Sequence, residues 1–187
     1  MRVTGIFLMI ALLWGGGADA QGALPVGRVV AGQVLAADTV RGEVLKRLAE
    51  GRVADALEYW ALATGQEAPA WLLATRTAYD ASKQVAGACQ GVAQSLHTAF
   101  THLGGRPEFV ELRNVQRLRF PYISFKMVDG RDMRLTTNGY HVVVRMGGRV
   151  YDAYTGAAGM PWAEYLSRLG TRSELTQTVG TVITEAP

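Results

Sequence analysis

Cys89 is the only cysteine in the 187-residue chain, and it is the side chain best suited to nucleophilic chemistry. An apolar stripe at helical spacing begins at Cys89 and ends before Gly104 and Gly105, which predicts a helix with the thiol in its first turn. There, free N–H groups and the positive end of the helix dipole stabilise a thiolate. A lone cysteine on an apolar helix face is more often a small core residue, so the catalytic interpretation requires a basic partner.

His141 is predicted to be that partner, because the other two histidines cannot reach the thiol. His97 and His102 lie eight and thirteen positions after Cys89 on the same predicted helix, two turns away or more. His141 lies instead near the start of a predicted strand, residues 140–146, that another part of the fold can bring to the thiol. It is therefore the candidate general base.

A predicted hairpin supplies the third member of a triad. Gly147 and Gly148 separate two strand-like segments, which is a strong signal for a two-residue loop. In that register Val143 lies opposite Asp152, so His141 and Asp152 project from the same sheet face as diagonal neighbours. A register slip of one residue would separate them. Asp152 would orient the imidazole and stabilise the imidazolium form.

The oxyanion of an acyl-transfer intermediate also needs hydrogen-bond donors. The backbone N–H of Cys89 is the first candidate. The side-chain amide of Gln84 is the candidate second donor, and Gln90 and Asn138 are alternatives to it.

Motifs for several other chemistries are missing from the sequence. It contains no Gly-x-Ser-x-Gly elbow, no His-Glu-x-x-His and no phosphate-binding glycine loop. A single cysteine cannot build a structural zinc site, and His97 and His102 are five positions apart and do not share a helix face. The sequence therefore predicts neither a metal nor a cofactor.

The elements that must position these residues follow an α+β order. Three amphipathic helical segments are predicted between Thr39 and Val85, separated by Gly51, Gly65 and Pro69, with the third stripe running on to Val85. After the helix of Cys89 the periodicity changes to that of strands, and Pro161 opens a short last helix. Strands are predicted at residues 108–113, 117–128, 140–146 and 149–154. Helices followed by a mainly antiparallel sheet are typical of an α+β fold.

The N-terminus has the pattern of a secretory signal peptide. Arg2 precedes an apolar run from Ile6 to Trp14, and a small-x-small cleavage site ends at Ala20. The run is too short to span a bilayer, so no membrane span is expected after cleavage. The predicted division is a signal peptide at 1–20, a helical segment at 21–83, a catalytic domain at 84–170 and a tail at 171–187 for which a strand is one option.

Positive charge is concentrated between Arg106 and Arg149, where nine Lys/Arg accompany four Asp/Glu in a chain of net charge +3. Such a stretch could meet an anionic partner, such as nucleic acid, a lipid surface or a cell-wall polymer. No nucleic-acid motif and no regular alternation of basic and aromatic residues accompanies it. Solvated strand faces are therefore the favoured interpretation, and no nucleic-acid partner is expected.

Three stretches resemble the papain-like fold toxin domains of bacterial polymorphic toxin systems, in particular the second papain-fold toxin type. They are ACQGVA at 88–93 leading to LGG at 103–105, NGYHVVV at 138–144, and GRVYD at 148–152 followed by GMPWAEYL at 159–166. The resemblance covers about residues 84–169. It implies a papain-like fold in which the nucleophile-bearing helix packs on an antiparallel β-sheet.

The resemblance also implies an activity and a setting. The activity would be that of a thiol-dependent peptidase, amidase or glutamine deamidase acting through a thioester acyl-enzyme, with its triad carried over to Cys89, His141 and Asp152. The setting would be a bacterial periplasmic or secreted toxin or effector. Its partners would be a protein, peptide or cell-wall amide substrate and a cognate immunity or inhibitor protein.

Two other functions remain open on the sequence alone. The same order of triad residues serves acyl transfer to an amine, as in the transglutaminase and arylamine acetyltransferase groups. A non-catalytic exported binding module with a papain-like shape is the other alternative. It predicts an inert, buried Cys89 with an ordinary or raised pKa.

Overall fold

The computed structural model describes residues 26–184, with side chains described from residue 37 onward. The predicted signal peptide lies outside the described residues. Antiparallel sheets follow a run of helices, so the predicted α+β class is confirmed. The described helices are α1 (Val26–Ala49), α2 (Val53–Thr64), α3 (Ala70–Ala78), α4 (Cys89–His102) and α5 (Trp162–Arg168). Among the described residues no helix is long and apolar enough to cross a bilayer.

The strands form two antiparallel sheets. One has five strands in the order β6-β5-β4-β1-β8, and the other has three in the order β3-β2-β7. The strands are β1 (Glu108–Asn114), β2 (Ile123–Lys126), β3 (Asp132–Thr136), β4 (Tyr140–Met146), β5 (Arg149–Tyr151), β6 (Met160–Pro161), β7 (Leu169–Gly170) and β8 (Leu175–Gly180). The central strand β4 is buried along most of its length, which matches its run of valines.

Helix α4 forms where the apolar periodicity predicts it. Its stripe is buried, and the chain leaves the helix through Gly104, whose φ of 83° is a left-handed value that favours glycine. The helix packs across β4 of the large sheet. The buried residues of the stripe are Val92, Ala93, Leu96, Phe100 and Leu103. This packing fixes the position of Cys89 relative to β4.

The first three helices share the core of the sheet. Val44, Leu48 and Leu72 are buried in the same apolar cluster as the residues of α4 and β4. Trp60 and Trp71 pack against that cluster and meet edge to face with ring centroids 5.6 Å apart. The described chain therefore has one continuous core.

The third helix is shorter than predicted. It ends at Ala78, and Val85, the last residue of the predicted stripe, is 54% exposed. The backbone becomes extended at Asp80 and reaches a φ of 91° at Gly87, so the chain turns away before α4 begins. This turn brings the Gln84 side chain to the loop after β5, where its Nε2 donates a hydrogen bond to the carbonyl of Ala153 at 2.9 Å.

The prediction of a strand over 117–128 is wrong for its first half, because only residues 123–126 pair as β2. A hydrogen-bonded turn replaces the predicted strand, with the N–H of Phe120 donating to the carbonyl of Gln116 at 2.8 Å. The buried side chain of Asn114 holds this turn, because its amide donates to the carbonyls of Phe120 and Tyr122 at 2.6 and 3.2 Å. A side chain that satisfies backbone carbonyls in this way competes with strand pairing.

Candidate active site

Cys89 is the first residue of α4, as predicted, and its side chain is partly buried. The N-cap residue is Ala88, which has no side-chain acceptor to satisfy the first N–H groups of the helix. The backbone N–H of Gln90, in the first turn, interacts with the thiol. A cysteine at this position gains the stabilisation that a helix N-terminus gives to a thiolate.

His141 lies on β4 and is 1% exposed. The strand pairs with β1 on one side, where His141 is opposite Leu112. Because α4 packs across β4, the imidazole lies close enough to the thiol of Cys89 for each group to shift the pKa of the other. The structure thus brings together the two residues that the sequence predicts as nucleophile and base.

Asp152 follows β5 and lies beside the imidazole. Its Oδ2 is 3.3 Å from Nε2 of His141, and both side chains are buried. The other oxygen, Oδ1, accepts the backbone N–H groups of Tyr154 and Thr155, each at 2.8 Å. One carboxylate oxygen therefore holds the loop and leaves the other for the histidine.

The hairpin register is confirmed, but the strand is shorter than predicted. Met146 is opposite Arg149, as expected for a loop of Gly147 and Gly148, while the ladder stops at Tyr151 instead of continuing through residue 154. The predicted pairing of Asp152 with a residue of β4 does not form, because the carboxylate closes a tight turn on the amides that follow it. Asp152 still reaches the imidazole.

The early end of β5 also provides a hydrogen-bond donor for the thiol. Residues of β4 alternate in the side toward which their backbone groups point, and Val144 and Met146 direct theirs toward β5. Val142 also directs its backbone groups toward β5, but it lies two residues before Val144, the last residue of β4 that pairs with β5. Its backbone interacts with the sulfur of Cys89. Val142 is paired with Glu111 of β1, but its side toward β5 has no strand partner and becomes part of the site.

Tyr165, on α5, is a member of the site that the sequence did not identify. Its hydroxyl is 3.1 Å from Nε2 of His141 and donates to Oδ2 of Asp152 at 3.0 Å. The ring is fully buried and lies against Phe125 and Trp162, with centroid distances of 5.2 and 6.0 Å. The sequence contained a signal, because a tyrosine on the apolar stripe of an amphipathic helix is buried and needs a partner for its hydroxyl.

These three contacts determine the tautomer of His141. An ionised Asp152 can only accept, so the hydroxyl of Tyr165 donates to it, and Nε2 must supply the proton for its own contacts. Nδ1 is then the basic nitrogen of the neutral ring. It is buried and makes no well-aligned hydrogen bond in this structure, which leaves it for the proton of the Cys89 thiol. Contacts of this kind are often loose before substrate binds.

The pKa values of the pair shift in the direction of an ion pair. Burial opposes ionisation of Cys89, yet the hydrogen bond and charge of His141 and the backbone groups of Val142 and Gln90 hold the thiol pKa below its ordinary value of 9.0. Burial also disfavours the imidazolium, but Asp152 and then Cys89 raise the pKa of His141 to about 9. Both shifts favour the thiolate and the imidazolium over the neutral thiol and imidazole.

Tyrosine rings surround this pair. Burial and then the negative charge of Asp152 raise the pKa of Tyr154 to about 12, and burial likewise raises that of Tyr165 well above its usual range. Both tyrosines are therefore neutral phenols at neutral pH. Their rings exclude water from His141 and Asp152, which strengthens the interaction between the imidazole and the carboxylate.

The oxyanion candidates have different surroundings. Gln84 is held beside the site by its bond to the carbonyl of Ala153, the residue after Asp152. The side-chain oxygen of Asn138 instead accepts the hydroxyl of Thr136 at 2.5 Å and the N–H of Tyr140 at 3.1 Å, inside the turn before β4. An oxyanion role for Gln84 stays a prediction, and its amide has a second N–H that the bond to Ala153 does not use.

The other histidines make unrelated contacts. His97 stacks on Phe109 with ring centroids 4.1 Å apart, and His102 stacks on Trp71 at 4.8 Å. No group of three or more His, Cys, Asp and Glu side chains within residues 26–184 is arranged to hold a metal ion.

Neither protein-family models nor the curated proteins nor the solved structures give a significant match to this chain.

Proposed function

We propose that this protein is a cysteine hydrolase that cleaves an amide bond through a thioester acyl-enzyme. The observation that carries the proposal is the buried imidazole of His141, which interacts with the Cys89 thiol and is hydrogen-bonded through Nε2 to Asp152 and Tyr165. A nucleophile, a base and a group that orients the base are the components of nucleophilic acyl transfer.

In the first half of the reaction, the Cys89 thiolate attacks the carbonyl carbon of the amide. The carbonyl electrons move to oxygen, and backbone N–H groups at the start of α4 are the candidate donors for that oxyanion. The imidazolium of His141 then gives its Nδ1 proton to the leaving nitrogen, the C–N bond breaks, and a thioester remains on Cys89.

In the second half, neutral His141 removes a proton from water, and the hydroxide formed attacks the thioester. The C–S bond breaks, the acid product leaves, and the thiolate and imidazolium are restored. Throughout, Asp152 accepts from Nε2 and stabilises the positive ring without taking its proton.

A papain-like arrangement is part of this proposal. Support comes from the position of Cys89 at the start of a helix that packs on an antiparallel sheet. His141 lies on strand β4 of that sheet, and Asp152 directly follows the next strand, β5. The substrate class proposed is a protein, peptide or cell-wall amide. Export, a toxin or effector role and a cognate immunity or inhibitor protein remain predictions.

Alkylation of Cys89 by iodoacetamide tests the activated pair, and the chain offers a clean readout because it has one thiol. We expect reaction to persist well below the ordinary thiol pKa of 9.0. Replacing His141 by alanine removes the largest of the effects that lower this pKa while burial still raises it, so the profile should move to higher pH. Asp152→Asn should move the profile less. His102 lies against Trp71, so His102→Ala should leave the profile unchanged.

Turnover is tested separately, by mass spectrometry of mixed peptides and peptidoglycan fragments incubated with the protein and with Cys89→Ala. New acid termini or deamidated glutamines that require Cys89 support hydrolysis. A thiol that reacts only as an ordinary cysteine does, with no response to His141→Ala, would contradict the proposal and favour the binding module. Products that contain added amine would indicate acyl transfer.

A further inference from the structure

A pocket of about 460 Å³ lies on the outer face of the three-stranded sheet, away from the candidate active site. Ser124 lines it, whereas its neighbour Phe125 packs on Tyr165 of the site. Successive residues of a strand point to opposite faces, so the pocket and the site lie on opposite sides of β2. We call it the arginine pocket and define it by Arg119, Phe120, Tyr122, Ser124, Thr171 and Arg172.

Three guanidinium groups gather around this pocket without carboxylate partners. Arg119 and Arg172 line it, and Arg134 is opposite Ser124 in the sheet. None of the three forms an ion pair among residues 37–184. Like charges at one place repel, and exposed arginines usually find acidic neighbours on a mixed surface. A cluster of arginines without acidic neighbours is complementary to an anionic ligand.

The walls of the pocket are held in place from behind by Asn114, which is buried. Its amide group donates to the carbonyls of Phe120 and Tyr122. Its side-chain oxygen accepts the hydroxyl of Thr171 at 3.0 Å and that of Ser173. One side chain thus joins the two segments that carry Arg119 and Arg172. A pocket built in this way requires little rearrangement to bind a ligand.

Exposed apolar and aromatic side chains lie beside the arginines of the pocket. Leu118, next to Arg119, is 99% exposed, and Tyr122 is half exposed. Arginine and tyrosine are enriched where proteins bind one another. A single-stranded nucleic acid would need open aromatic faces and a groove along its backbone. The guanidinium of Arg134 already lies 4.4 Å from the centroid of the Tyr122 ring, so that face is covered.

We propose that the arginine pocket binds an acidic segment of a partner polypeptide, with carboxylates paired to Arg119 and Arg172 and an apolar side chain on Leu118. This inference does not depend on the proposed hydrolase activity. Planar guanidinium groups match carboxylates in a two-point contact that lysine cannot make.

Fluorescence anisotropy with a short fluorescein-labelled peptide of alternating glutamate and leucine tests the proposal, with the glutamine–leucine peptide as control. We expect saturable binding of the acidic peptide only. Arg119→Gln with Arg172→Gln should weaken it about tenfold or more, since each contact involves two charged groups. Arg119→Lys with Arg172→Lys should also weaken it, because the charge remains but the two-point contact is lost.

Arg76→Gln with Arg106→Gln is the matched control, because it removes the same charge from exposed positions outside the pocket. We expect a change below about twofold, from general electrostatics alone. Cys89→Ala should bind as the unmodified protein does, which separates this test from that of the active site. Equal losses in both glutamine pairs, absence of saturable binding, or tighter binding to phosphatidylserine vesicles or an oligonucleotide would overturn the proposal.

Discussion

At the scale of single residues, the site depends on how Asp152 divides its two oxygens. Oδ1 is occupied by the amides of Tyr154 and Thr155, which orient the carboxylate, and Oδ2 is left for His141 and Tyr165. A carboxylate held by its own loop cannot rotate away from the imidazole. The tautomer that leaves Nδ1 basic is therefore built into the turn after β5.

Tyr165→Phe should weaken this arrangement without removing the ring that packs against Phe125. The lost hydroxyl bonds both His141 and Asp152, so we expect a decrease of about 1–2 kcal/mol in the free energy of unfolding. We also expect the alkylation profile of Cys89 to move to higher pH, because the imidazolium is less well held. Chemical denaturation and the pH dependence of alkylation measure the two effects.

Tyr154→Phe is the control for this substitution. Its hydroxyl makes only a long contact of 3.4 Å with the carbonyl of Arg134, so it should change stability little and leave the alkylation profile in place. A Tyr165→Phe protein that loses stability but keeps the profile of the unmodified protein would show that Tyr165 supports the fold and does not position the histidine.

At the scale of elements, helices and strands that follow from periodic patterns were predicted well. Elements that are ended or replaced by side-chain bonds to the backbone were not. The helix of Cys89 and the register of the hairpin follow from apolar spacing and from the loop of Gly147 and Gly148, which are local properties of the sequence. The turn held by Asn114 and the early end of β5 at Asp152 come from polar side chains bonded to backbone groups. Each of these bonds is made by a single polar side chain, so they leave little periodic signal in the sequence.

The partners of the site differ in the same way. His141 and Asp152 could be related because one hairpin carries both, and the spacing within a hairpin is fixed. Tyr165 lies on α5, which packs against β5 and β6 of the large sheet and reaches β2 of the second sheet through Phe125. No spacing in the chain encodes that contact.

Two glycines should respond oppositely to alanine. A Cβ at Gly91, in α4, meets no atom within 4 Å, so Gly91→Ala should stabilise the protein by about 0.5–1 kcal/mol through helix propensity.

Gly159, between β5 and β6, has a φ of 62°, and a Cβ there would lie 2.7 Å from the ring of Tyr151. Gly159→Ala should therefore destabilise by about 1–3 kcal/mol. Thermal unfolding measures both, and a stable Gly159→Ala protein would contradict the packing described for this loop.

At the scale of the whole molecule, segments far apart in sequence complete the environment of the site. The predicted division at residue 84 crosses a continuous core, since Leu48 and Leu72 lie in the same cluster as α4 and β4. From the other end, β8 pairs with β1, and Thr184 donates through N–H and hydroxyl to Glu111 at 3.0 and 2.7 Å. Glu111 in turn accepts the hydroxyl of Tyr140, the residue before His141.

This packing predicts that the helical segment before Gln84 is a structural part of the fold. A chain that begins at Gln84 should lose cooperative unfolding, because the face of α4 that packs on α3 would become exposed to water. Circular dichroism during thermal unfolding tests this directly. Leu72→Ala in the full chain is the milder variant, since Leu72 is fully buried, and it should cost about 2–5 kcal/mol.

Leu62→Ala is the matched control, because Leu62 is largely exposed and the same deletion there should cost little. If the chain from Gln84 folded cooperatively and its Cys89 reacted faster than in the full protein, the segment would be an inhibitory extension instead. The present contacts argue against that outcome, because inhibition requires a surface that can leave the site, whereas Val44, Leu48 and Leu72 are buried in the core itself.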